Sequence, residues 1–147
     1  MKAFSFSFQR ILEFRQTRLA EEERRLRLLQ HEAAMLDRRI EEIKSVRRES
    51  AGALAAAREF QGRDLRALAN FKARLLRNET ALRQKKAICI QNLNRQREAY
   101  KVARRDFRLL EELRKRRFAQ WQQESNREVD QLASDLYLAR WNTAGKS

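Results

Sequence analysis

Apolar residues recur along residues 8–43 in alternating steps of four and three. The row runs Phe8, Leu12, Arg15, Leu19, Glu22, Leu26, Leu29, Ala33, Leu36, Ile40 and Ile43, and nine of its eleven members are apolar. Spacing of this kind held over five heptads predicts a coiled-coil helix rather than a short amphipathic one. A second row follows: Leu65, Leu68, Lys72, Leu75, Glu79, Leu82, Lys86, Cys89, Leu93, Gln96, Tyr100, Ala103, Phe107 and Leu110, ten of fourteen apolar. Beyond Leu110 the best stripe shifts to steps of three, four and four: Arg114, Phe118, Trp121, Ser125, Val129, Leu132, Leu136 and Ala139. An 11-residue period of that kind relaxes the left-handed supercoil.

Gly52 and Gly62 lie between the two main rows. Glycine accepts the left-handed geometry that ends a helix, so Gly62 is expected in the turn and Asp64 as the cap of the next helix. The small residues at 51–57 are expected to let the two backbones approach closely. The predicted fold is all-α, one antiparallel two-helix coiled-coil hairpin over residues 1–147. Helix 1 covers about 7–59, the turn about 60–63, helix 2 about 64–140, and 141–147 is a frayed tail. Such a turn sets Phe8 opposite Arg114 and leaves the end of helix 2 overhanging from about residue 118.

The opening segment Phe4-Ser5-Phe6-Ser7-Phe8 alternates like a strand, and could be a hairpin strand, the core of a targeting signal or the start of a helix. With Ser7 as N-cap, Phe6 and Ile11 take the two positions of a hydrophobic staple. Phe4 and Phe8 are then expected to face Phe118 and Trp121. The segment reads as the start of a helix.

Several large apolar residues fall off the seam. Phe14, Leu28 and Met35 recur at intervals of seven or fourteen on helix 1, and Ile88, Val102 and Leu109 do so on helix 2. Outward apolar rows mark a partner surface. Phe71, Leu76, Ile90 and Leu113 flank the seam and could lean inward instead.

Composition narrows the function. Three glycines and no proline exclude a turn-rich domain, and no apolar run approaches the roughly 20 residues that span a bilayer. The N-terminus lacks a secretory apolar core. One cysteine allows no internal disulfide, which suits a reducing, cytosolic setting. Net charge is +14, and residues 58–117 hold 19 Lys/Arg against 7 Asp/Glu. A localised basic band calls for an acidic partner.

One histidine, one cysteine and no glycine-rich loop supply no nucleophile–base pair, phosphate cradle or metal-ligand cluster. No catalysis, cofactor, metal or small-molecule substrate is expected. Cys89 lies on the core row, where a thiol fits as a small apolar filler. His31 falls off the seam as a solvated side chain. The densest basic run is Arg114-Lys115-Arg116-Arg117, followed by Phe118 and Trp121.

Two segments resemble the FliJ family, the coiled-coil component of the bacterial flagellar type III export apparatus. One is Phe4-x-Phe6-x-Phe8-Gln9-x-Ile11-Leu12-Glu13-x-Arg15, followed by Glu21-Glu22-Glu23. The other is Leu110-Glu111-Glu112-Leu113-Arg114-Lys115-Arg116-Arg117, with Trp121 and a tail from Val129 to Arg140. The resemblance implies a non-enzymatic stalk that binds the hexameric export ATPase, promotes its assembly and couples it to the membrane export gate. It also implies contact with export chaperones and a cytoplasmic location, peripheral to the membrane at the flagellar base.

On that resemblance Phe4, Phe8, Ile11, Arg15, Arg114, Lys115, Arg116, Arg117, Phe118 and Trp121 would meet the ATPase. By position alone, Arg38, Glu42, Phe71, Lys72, Leu76 and Arg83 would meet the gate. Phe14, Leu28, Met35 and Ile88 would offer a further partner surface. Three rivals stay open: the equivalent stalk of a virulence-type secretion system, a nucleic-acid-binding coiled coil, and a plain structural rod or oligomerisation module, the last at odds with the overhang and with Phe14, Leu28 and Met35 placed outward. The basic residues occupy several faces of helix 2, which argues against the second.

Overall fold

The computed structural model describes residues 2–57, 59 and 61–146. The fold is all-α: α1 spans Gln9–Ala56 and α2 spans Gly62–Ala144. Among the described residues there is no strand. The chain divides into two units, Ala20–Lys101, and Met1–Leu19 with Val102–Ser147. In each, a stretch of α1 packs antiparallel on a stretch of α2.

The Ala20–Lys101 unit contains the link between the helices. From Glu22 to Ile43 on α1, and from Leu68 to Tyr100 on α2, every residue of the two heptad rows is buried or half-buried. Leu36, Ile40, Leu75, Cys89 and Leu93 form its core, with Ile40 only 4% exposed. Four polar members of the rows, Glu22, Glu79, Lys86 and Gln96, are engaged rather than excluded. The Gln96 amide donates to the Glu22 carboxylate and, at 3.0 Å, to the Glu22 carbonyl oxygen. Lys86 pairs with Asp37 across the helices. Such pairs add little net stability to an apolar seam but penalise a slipped register, which would bury them without partners.

Glu79 is buried between two arginines. Arg83 donates to its Oε1 at 2.9 Å, and Arg47 of α1 stands 3.2 Å from Oε2 as an ion pair without hydrogen-bond alignment. The Arg83 hydrogen bond chiefly, and the Arg47 charge after it, hold this carboxyl below its ordinary range, while burial opposes them. A depressed carboxylate contributes stability above its unfolded pKa of about 4.3, lost as pH falls through the lower folded value. We expect the melting temperature to fall on acidification below about pH 4.5 more steeply in the native chain than in Glu79→Gln. Thermal melts followed by circular dichroism at stepped pH check this.

The link departs from expectation. α2 opens at Gly62, two residues before the expected start near Asp64, so Asp64 is not its cap. The Asp64 and Leu65 N–H groups donate to the Gln61 carbonyl at 3.0 and 3.2 Å. Asp64 therefore sits inside the first turn, where its charge favours the helix dipole. No described glycine has positive φ, so Gly62 is not a left-handed turn residue. The expected turn at 60–63 and the reach of helix 1 to residue 59 touch Arg58 and Phe60, which lie outside the described residues; α1 itself ends at Ala56.

Nor do the backbones close up at 51–57. A Cβ at Gly52 would meet nothing within 4 Å, and Leu65 is 50% exposed. Alanine and glycine offer too little apolar area to draw two helices together there. It follows that Gly52→Ala, in an open helix interior, should raise stability by about 1 kcal/mol. A melting temperature unchanged or lowered would contradict this.

In the other unit Leu12 and Ala103 are buried, and Arg15, Leu19, Phe107 and Leu110 half-buried. Arg15 Nη1 donates to the Asp106 carbonyl at 3.0 Å. Past Ser125, itself half-buried, every described residue of α2 is exposed. Val129, Leu132 and Leu136 are 59%, 63% and 61% exposed. The overhang is real but its fully exposed stretch begins after Ser125, because the segment before α1 extends the pairing past residue 118. The helix also runs to Ala144, through most of the stretch expected to fray; Ser147 lies outside the described residues.

Candidate partner-binding site

The N-terminal segment is a strap laid along one face of α2. Arg114, Arg117, Phe118 and Trp121 share that face, at the spacing three and four that stacks side chains on a helix. The Trp121 indole donates to the Lys2 carbonyl at 3.1 Å. Phe4 meets Phe118 edge-on at 5.1 Å between centroids and Trp121 at 5.9 Å, with the Arg114 guanidinium 5.8 Å above its ring. Arg117 lies 5.8 Å over Phe6 and 5.1 Å over Phe8, and donates to Ser7 Oγ at 2.9 Å.

This corrects the expected helix start. Ser7 does not begin the helix. Its hydroxyl accepts from Arg117, Ser7 and Phe8 form a turn, and the first carbonyl of α1 to accept is that of Phe8, from Leu12. The Phe6–Ile11 staple gives way to Phe6 buried against Phe8 and Arg117, with Ile11 45% exposed. An aromatic face under a guanidinium outcompetes the staple for Phe6. Phe4 does face Phe118 and Trp121; Phe8 turns to Phe6 and Arg117 instead.

The basic run is thereby divided. Arg114 and Arg117 are occupied by the strap, and Lys115 pairs with Glu111 at 3.1 Å. Arg116 is exposed, with no hydrogen bond or ion pair among the described residues. Lys115 and Arg116 point away from the strap, and Ile11, Phe118 and Phe8 keep exposed apolar surface beside it. Sequence reasoning missed the division because Lys2 and Ser7 contribute backbone and hydroxyl groups that no periodicity marks.

The positions placed at a gate separate into two kinds. Lys72 is half-buried on the seam and Phe71 half-buried beside it, and Arg83 is held by Glu79. Arg38 and Glu42 are exposed and line one shallow hollow on α1, and Leu76 is exposed on α2. The outward row is as expected: Phe14, Leu28, Met35, Ile88, Val102 and Leu109 are all exposed. Of the flanking set, Phe71 and Leu113 lean inward while Leu76 and Ile90 stay out.

Cys89 is 3% exposed, its thiol 3.6 Å from the Leu29 carbonyl. Burial, with a smaller push from Glu32, raises its pKa. A thiol held protonated is a poor nucleophile. We expect alkylation of the folded chain to be much slower than that of the urea-unfolded chain, which a thiol-reagent time course reads directly. Among the described residues no group of three His, Cys, Asp or Glu side chains could hold a metal, and no helix is long and apolar enough to cross a membrane.

The fold and site thus define an all-α, coiled-coil-like helix pair with an aromatic–basic end. No family model, curated protein or solved structure matches this chain.

Proposed function

We propose that this protein is a non-enzymatic stalk of a bacterial type III export apparatus, of the flagellar kind, that binds the hexameric export ATPase. One observation carries the reading. The segments that resemble the FliJ family at the two ends of the sequence, Phe4–Arg15 and Leu110–Trp121, pack on each other in one unit. They form a single end with aromatic rings, two outward cations and a bare continuation of α2. A charged, slender end of this kind enters an acidic socket without the broad apolar contact that would hinder release. On this reading the stalk promotes ring assembly, couples the ATPase to the membrane export gate and engages export chaperones. It works in the cytoplasm at the flagellar base.

The gate contact is best sought at Arg38, Glu42 and Leu76, since Phe71, Lys72 and Arg83 already have structural tasks. The test is affinity capture of the tagged chain from nuclease-treated cytosol, with bound proteins identified. Retention of a type III export ATPase supports the reading. Binding that vanishes with nuclease, with no ATPase retained, would assign the basic band to nucleic acid instead.

A further inference from the structure

The Ala20–Lys101 unit has a second heptad-spaced face, beside the seam. Two adjoining hollows, the larger about 510 Å³, meet at Arg39 and Lys85. Their α1 wall is Leu28, Glu32, Met35, Arg39 and Glu42, in steps of four, three, four and three. Their α2 wall is Asn78, Ala81, Lys85, Ile88 and Asn92, in steps of three, four, three and four. Two walls of that spacing around exposed Leu28, Met35 and Ile88 shape a groove for a third helix. Fifteen residues of α1 give it a length of about 22 Å.

The groove is electrically lopsided. Its α1 wall mixes Glu32 and Glu42 with Arg39. Its α2 wall continues in the same steps to Arg74 and Arg95, so that it holds three cations with Lys85 and no carboxylate. A helix seated there needs an apolar row with carboxylates along the flank that meets α2.

This chain contains one such helix. The overhang of α2 has the row Val129, Leu132, Leu136 and Ala139, exposed throughout. Glu124, Glu128 and Asp135 each stand one residue before a row position, on a single flank. Residues 118–139 hold four carboxylates and one arginine in a chain whose net charge is +14. Two overhangs pairing antiparallel with each other would set these acidic flanks face to face, which is repulsive. The α2 wall of the groove offers the opposite sign.

We infer that the overhang of one copy docks in the Leu28–Met35–Ile88 groove of a second copy, as a third helix with its acidic flank against Lys85, Arg74 and Arg95. The contact is small, so it forms a weak and salt-sensitive assembly. It does not rest on the stalk reading and is tested with this protein alone.

The experiment is sedimentation equilibrium of the full chain over a wide concentration range, at low and high salt. A mass rising above the monomer with concentration, less so in high salt, is expected. Arg74→Glu/Lys85→Glu/Arg95→Glu in the groove and Glu124→Lys/Glu128→Lys/Asp135→Lys in the overhang should each return the monomer. Mixing the two charge-reversed chains should restore association. Every changed side chain is exposed, and circular dichroism verifies that the helices persist. A monomer at all concentrations overturns the inference. So does association lost on overhang reversal but untouched by groove reversal, which means overhang-to-overhang pairing. Association lost only on groove reversal overturns it too, since another segment is then the occupant.

Discussion

Ile40→Ala lowers the unfolding free energy by about 2–4 kcal/mol. Ile40 is the most buried apolar side chain of α1, at 4% exposure, in a core only one residue deep. Truncation loses transfer free energy and leaves a cavity, and the loss stays short of the top of the usual range of about 2–5 kcal/mol because two helices can settle toward each other. For a chain of this size the melting temperature should drop by roughly 5–12 °C. Leu28→Ala removes a similar side chain that is 62% exposed, and should move stability by less than about 0.5 kcal/mol. Equal losses for the two substitutions would mean that the seam is not where the heptad row places it.

The second large effect concerns the basic run. If the proposed stalk function holds, Lys115→Ala/Arg116→Ala is expected to weaken binding to a type III export ATPase by about tenfold or more at low salt, with helicity and melting temperature unchanged. Both side chains point outward, and neither holds the strap. Arg114→Ala and Arg117→Ala should behave differently. Each uncovers an aromatic ring, and Arg117→Ala also frees Ser7, so the strap loosens before any partner is added. A gain in Trp121 solvent exposure, read by fluorescence quenching, separates the two classes. If all four single substitutions weakened ATPase binding alike and left Trp121 unchanged, the division of the run would be refuted.

Heptad spacing made most of this fold legible. Helix positions follow from which residues can share a face, so the seam from Leu12 to Ile43 and from Leu68 to Leu110 needed only the alternation of three and four. Even its polar members, Arg15, Glu22, Lys72, Glu79, Lys86 and Gln96, could be placed on it from the spacing alone. The ends were not legible in the same way. At the link, no residue type dictates the path, and the assumption that a glycine must take a left-handed conformation misplaced Gly62. At the N-terminus, Ser7 and Phe6 satisfied a local capping rule, yet Arg117, 110 residues away in sequence, binds both. Periodicity cannot register a contact made through the Lys2 carbonyl or the Ser7 hydroxyl. The same blindness made Arg114–Arg117 look like one patch, although a helix turns 100° per residue and must spread four consecutive cations around itself.

The central claim, that this helix end engages a type III export ATPase, is tested most directly by sedimentation velocity of the purified ATPase with and without the full chain. Our account predicts that the chain co-sediments with the ATPase, shifts it toward the hexamer, and fails to do so as Lys115→Ala/Arg116→Ala. An ATPase whose sedimentation is the same with and without the chain, at protein concentrations where the chain remains folded, would contradict it.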